Sequence, residues 1–216
     1  MAEVIQQENI RRRLFKLAAP IFIETLLIMM LGAVDVIMLS RHSDNSVAAV
    51  GVVNQIIVLT FLIFEVINLG TSVLCSQYLG AKMHKNVVQV VGVSLLMNLV
   101  VGVSVSLFLF GMNETILQWM GLTPELMKDG TDYMRIVGAF AFFQAISLTL
   151  SASLRSANKA IYPMMVTVVV NVLNIIGNYT LIFGEFGFPE MGVEGAAIST
   201  AFSRGVSMVI LFILLF

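Results

Sequence analysis

Six apolar runs leave this chain few choices of fold. Crossing the ~30 Å hydrocarbon core of a bilayer takes about 20 residues of helix. Six segments are long enough: Phe15–Ser40, Ala48–Leu79, Val87–Phe110, Tyr133–Leu154, Pro163–Phe183 and Val193–Phe216. They are apolar throughout rather than alternating, which selects helices over barrel strands. Of the 216 residues, 58% are hydrophobic and 12% charged. A soluble domain carries about 25% charged residues, so this chain cannot coat a globule. The expected fold is all-α and polytopic, a bundle of six transmembrane helices embedded in lipid. The second run exceeds what a perpendicular crossing needs and should tilt or project.

The connections are short except for Gly111–Asp132, where Ile116, Leu117 and Met120 recur at helical intervals and predict an interfacial helix. Trp119, the only tryptophan, suits that boundary. Basic residues are asymmetric. Arg11, Arg12, Arg13, Lys16, Lys82, Lys85, Arg155 and Lys159 fall on one side, and Arg41, Lys128 and Arg135 on the other. The positive-inside rule then predicts both termini in the cytoplasm. "RRRLFKLAAPIFIETLLIMMLGAV" resembles a signal peptide, but its apolar run is too long, so it is read as a retained first span. The chain ends in "MVILFILLF", and no repeat relates residues 1–108 to 109–216, so a repeat partner is expected outside this chain.

Catalytic and metal-binding signatures are missing. No P-loop, GxSxG, GxGxxG or His/Cys/Asp/Glu ligand spacing occurs, and His42 and His84 fall in predicted loops. The single cysteine, Cys75, lies in an apolar run and reads as a small buried hydrophobe. The chain is therefore read as no enzyme, with neither a cofactor nor a nucleic-acid partner.

The chemistry lies in the polar residues of the spans. Ionisable groups at mid-membrane face a bundle interior or a watery cavity and are functional candidates by default. There are four: Glu24, Asp35, Glu65 and Arg204. Asp35 stands five residues before Ser40, about 7–8 Å below that end of its span. Asn178 and Asn54 lie at similar depth in the fifth and second spans. In "NVLNIIGN", Asn171, Asn174 and Asn178 follow i, i+3, i+7 spacing and share one face. Interhelical glue and a binding site both explain Asn171; Asn174 and Asn178 are assigned to the site by their depth. No basic residue is expected at the depth of Asp35, which leaves its carboxyl free to exchange a proton or Na⁺. Glu65 lies on a face with Asn54, Asn68 and Ser72. Arg204 is expected to pair with Glu65 or Glu24. Gln144, Ser147, Ser151, Ser199 and Ser203 read as packing faces, with Gln144 also a cavity candidate. The methionines read as lipid-facing or filler, some of them available to an adaptable pocket.

The stretches "LAAPIFIETLLIMMLGAVDVIMLSR", "SVAAVGVVNQI", "GTSVLCSQYLGA", "SLRSANKAIYPM" and "NVLNIIGNYTLIFG…GVEGAAISTAFSR" resemble the multidrug and toxic compound extrusion (MATE) transporters in order from Pro20 to Arg204. The likeness is to the amino-terminal half of that family. It implies that the whole of 1–216 is one six-helix lobe of a twelve-helix transporter. It further implies a cell-membrane efflux antiporter exchanging cationic or amphipathic compounds for H⁺ or Na⁺, with a carboxy-terminal lobe or second copy as partner. By this resemblance Asp35 matches the family's essential aspartate, Asn174 and Asn178 complete a cation or Na⁺ site, and Pro20 matches a proline where the first helix bends. Asn178 stands where one branch has a second aspartate, which favours Na⁺ or a site shared with another lobe. Two alternatives remain: a lipid-linked oligosaccharide flippase, which needs a more cationic cavity, and a membrane subunit with no transport of its own.

Overall fold

The computed structural model describes the backbone from Ala2 and the side chains from Leu14 to Phe216. The side chains of Arg11, Arg12 and Arg13, on which much of the charge asymmetry rests, lie outside the described residues. Eight α-helices follow in order: α1 Ala2–His42, α2 Asp44–Gly80, α3 His84–Gly111, α4 Asn113–Trp119, α5 Pro124–Ala139, α6 Ala141–Ser156, α7 Ile161–Phe183 and α8 Gly192–Leu215. No strand occurs among the described residues. Helices α1, α2, α3, α7 and α8 are each long and apolar enough to cross a membrane, and α5 with α6 makes a sixth crossing bent by 46°. Backbone groups in lipid must be satisfied internally, and every crossing meets that demand as helix.

Two expectations need correction. The fourth span is not one helix starting at Tyr133; it starts at Pro124 and breaks at Phe140. The polar first turns of α5 hid its start, yet Asp129 is held there by a 2.7 Å hydrogen bond from the Ser46 hydroxyl at the head of α2. At the break the Phe142 amide donates to Ser106 Oγ of α3 at 3.2 Å, so a side chain supplies what the interrupted ladder loses. The connection predicted over Gly111–Asp132 is accordingly mostly helical. It contains the expected short helix, α4, with Leu117 fully buried and Trp119 exposed. Helix α1 passes through Pro20 without interruption.

Packing is uneven. Helix α7 lies closely on α8, and Gly195 is the reason: a β-carbon there would stand 2.6 Å from the carbonyl carbon and oxygen of Leu181. Gly184 ends α7 in the left-handed region, at φ 71°, where glycine carries no steric cost. Residues of every helix but α6 build the main apolar core around Val53, Leu117, Met134 and Ile182. Cys75 is buried, as expected of a small hydrophobe. A second kind of contact joins α2, α3 and α6, where Asn98 Nδ2 donates to Asn68 Oδ1 at 3.0 Å and to Thr149 Oγ1, all three residues buried. By contrast α1 leans on α7, and only Glu24 and Leu39 of its described residues are buried.

Candidate functional site

A cavity of about 460 Å³ runs between α1, α2, α5, α6, α7 and α8, with Glu24 and Arg155 among its lining residues as well as Asp35. Glu24 and Asp35 are eleven residues apart on one helix, so the cavity extends about 16 Å along α1. A second hollow, about 510 Å³, lies between α3, α6 and α8 and is lined only by apolar side chains such as Leu95 and Phe212. It offers no polar group to orient a ligand. The chemistry belongs to the first.

Asp35 faces this cavity and is held from behind. The Asn178 amide, itself buried, donates to Asp35 Oδ1 at 2.6 Å and to Asn174 Oδ1 at 3.1 Å. Asn174 lines the cavity, and its Nδ2 reaches Thr200 Oγ1 of α8 at 3.4 Å. Ser199 Oγ donates to the Asn174 carbonyl at 3.0 Å, fixing that turn of α7 against α8. Asp35, Asn174 and Asn178 thus meet as their shared depth predicted. Asn178, however, does not line the cavity; it buttresses the carboxylate, and its own Oδ1 is buried without a partner.

Other expectations divide. Asn54 and Gln144 line the cavity. Asn171 does so too, while its Nδ2 donates to the Leu27 carbonyl of α1 at 2.8 Å, so it is glue and lining at once. Glu65 is exposed on α2 and takes no part in the cavity. Ser147, Ser151 and Ser203, read as packing residues, line the cavity instead. No methionine does.

The expected charge pairing is also corrected. Glu24 pairs with Arg155 of α6, Oε1 to Nη2 at 2.7 Å, not with Arg204. Arg155 follows the span predicted to end at Leu154, but it sits in the last turn of α6 and its long side chain reaches back to the cavity. Arg204 pairs with neither glutamate; its guanidinium lies over the Phe61 ring, 5.1 Å from the centroid. It does share the cavity with Asp35, contrary to the expectation that no cation stands near that depth. Among the described residues the ion pairs within 4.0 Å are Glu24–Arg155 and His42–Glu190, so the Asp35 carboxylate has no fixed salt-bridge partner. Tyr133 and Thr200, which also line the cavity, were not singled out in the sequence. Thr200 lies one turn beyond Ala196, which also lines it, and that periodicity was the available signal.

A six-crossing helical bundle around a polar cavity with an unpaired carboxylate defines a membrane protein of the transporter class. Its family follows directly: the MatE family model matches residues 20–180, and the chain belongs to that family. It is 42% identical over 93% of its length to the "Uncharacterized transporter YisQ" of Bacillus subtilis, covering 44% of that protein. It is 32% identical over 96% of its length to the "Probable multidrug resistance protein NorM" of Thermotoga maritima, covering 45% of it. Among solved structures it resembles the "Outward-facing conformation of a multidrug resistance MATE family transporter of the MOP superfamily", with a TM-score of 0.87 and 25% identity over 94% of this chain and 44% of that one. The chain spans a little under half the length of the relatives it matches.

Proposed function

We propose that the chain is the amino-terminal lobe of a cation-coupled efflux antiporter of the cell membrane, with both termini cytoplasmic. It exchanges cationic or amphipathic compounds for H⁺ or Na⁺ and works with a second lobe. The observation that carries this reading is Asp35, a cavity-facing carboxylate held by a 2.6 Å hydrogen bond from Asn178 and lacking a salt bridge. A permanently paired acid has no free valence for a travelling ion, whereas this one does. Oxygen donors to a cation share the cavity: the Asp35 carboxylate, the Asn174 side-chain carbonyl and the Thr200 hydroxyl. That donor set suits Na⁺, a hard cation, and a carboxyl group equally carries a proton. A substrate cation competes for the same charge, so ion and substrate occupy the cavity in turn. Both flippase and non-transporting readings find less support, because Arg155 is already neutralised by Glu24, which leaves Arg204 as the single cation of the lining without an ion pair, and Asp35 has no salt-bridge partner.

The test is Asp35→Asn in the full-length protein reconstituted in liposomes. Ethidium efflux driven by an imposed Na⁺ or proton gradient should disappear while protein yield and melting temperature stay near wild type. Undiminished gradient-driven efflux would remove the carboxylate from the mechanism.

A further inference from the structure

Helices α3 and α8 both pack on α6. The apolar hollow of about 510 Å³ is lined by Leu96 and Leu99 of α3, Ile146 of α6, and Val209 and Phe212 of α8. These α3 and α8 side chains are exposed, and all three helices belong to membrane crossings, so the hollow lies at membrane depth. An apolar hollow left unfilled there forfeits dispersion contacts on its open side. A headgroup, a sugar or an extended peptide would leave polar groups unpaired in it. Helix–helix contacts in lipid favour small residues, and the lining has none. An acyl chain meets each of these conditions.

The α3 wall also leads to a charge. Lys85, Val88, Gly92, Leu96 and Leu99 follow i, i+3, i+7, i+11, i+14 spacing, share one helix face, and are all exposed. A β-carbon at Gly92 would meet nothing within 4 Å, so the stripe is notched between the lysine and the hollow. Eleven residues separate Lys85 from Leu96, about 16 Å of helix. Half of the ~30 Å hydrocarbon core is about 15 Å, so the ammonium stands at headgroup level when the hollow lies near mid-membrane. No carboxylate lies within 4.0 Å of Lys85 among the described residues.

We propose that the groove between α3, α6 and α8 binds an anionic phospholipid, its acyl chain in the hollow and its phosphate at Lys85. The site is separate from the polar cavity and does not depend on what that cavity carries. The tail supplies fit and the lysine supplies selectivity. A chain entering the hollow exchanges one hydrocarbon setting for another, whereas an anionic headgroup gains a charge-assisted contact. A zwitterionic lipid fills the same hollow, but its own cation offsets the phosphate at Lys85.

Phosphatidylglycerol and phosphatidylcholine carrying the same diazirine acyl chain serve as probes, each diluted into phosphatidylcholine nanodiscs that hold the purified full-length protein. On irradiation each labels what its chain touches. Label on the peptides holding Leu95–Leu99 and Met208–Ile213, normalised to total label, should favour phosphatidylglycerol by about fivefold, the effect of one lysine at an anionic membrane. Lys85→Gln should bring that ratio to one, and Lys85→Arg should keep it. Gly92→Leu, which fills the notch without a clash, should cut labelling by both lipids at an unchanged melting temperature. Equal labelling of wild type by the two lipids, or a preference that survives in Lys85→Gln, overturns the assignment. So does an absence of label on these peptides, which marks the hollow as covered by protein, a second lobe included. Undiminished labelling in Gly92→Leu overturns the track from Lys85 to the hollow.

Discussion

Glu24 on α1 and Arg155 on α6 form an ion pair, 2.7 Å between Oε1 and Nη2, at the far end of the cavity from Asp35. The glutamate side chain is 6% exposed and the arginine 31%, so one partner is buried and the other touches the surroundings. The pair ties the first helix to the sixth.

Glu24→Gln should therefore destabilise the lobe. Breaking a fully buried pair costs about 3–5 kcal/mol, and the accessible arginine lowers that to about 1–3 kcal/mol. Thermal unfolding in detergent measures it, and an additional Arg155→Gln should recover part of the loss. An unaltered melting temperature in the single variant would show that the pair adds nothing.

Asn178→Ala removes the donor that fixes Asp35 and links it to Asn174. Ion affinity should fall at least about tenfold, the equivalent of one charge-assisted hydrogen bond at ~1.5 kcal/mol. Calorimetric Na⁺ and proton titrations of the purified protein would register the change. Wild-type affinity in this variant would assign Asn178 to packing alone.

Gly195→Ala places a methyl group 2.6 Å from the Leu181 carbonyl, and backbone cannot rotate away. Helices α7 and α8 must separate, at a cost of about 1–3 kcal/mol. Because Ser199 and Thr200 anchor Asn174 from α8, Na⁺ binding should weaken together with stability. A stable variant with intact binding would mean that the two helices tolerate a wider gap.

Asn98→Leu removes the amide that donates to Asn68 Oδ1 and Thr149 Oγ1, leaving Asn68 Oδ1 only the Thr149 hydroxyl as donor. Interhelical hydrogen bonds in membranes contribute about 0.6–2 kcal/mol, and two are lost here. The melting temperature should drop with no effect on ion affinity, since the triad lies outside the cavity. A change in affinity at constant stability would connect the triad to the site.

Crossings and depths were legible in the sequence because both depend on hydrophobic length and helical rise. Asp35, Asn174 and Asn178 could be brought together that way, since a shared level in two helices is arithmetic on residue numbers. Azimuth was not legible. Whether Glu65 turns outward and Ser147 inward depends on which neighbours α2 and α6 acquire, and span length does not encode neighbours. Arg155 was missed for a different reason: a long side chain at a helix end reaches a full turn from its backbone, so its position in sequence misplaces its charge. The bend at Phe140 has no proline to announce it and depends on a hydroxyl from another helix.

The sparse burial of α1 has a further consequence. Three polar clasps tie it to this lobe beside the apolar contacts of Leu39 and Met38: Glu24 to Arg155, the Leu27 carbonyl to Asn171, and Asp35 to Asn178. The Asp35 attachment changes strength when a proton or ion reaches the carboxylate, while aliphatic contacts are indifferent to it. With Asp35 as the ion site, the grip of the first crossing on α7 follows the charge of one carboxyl.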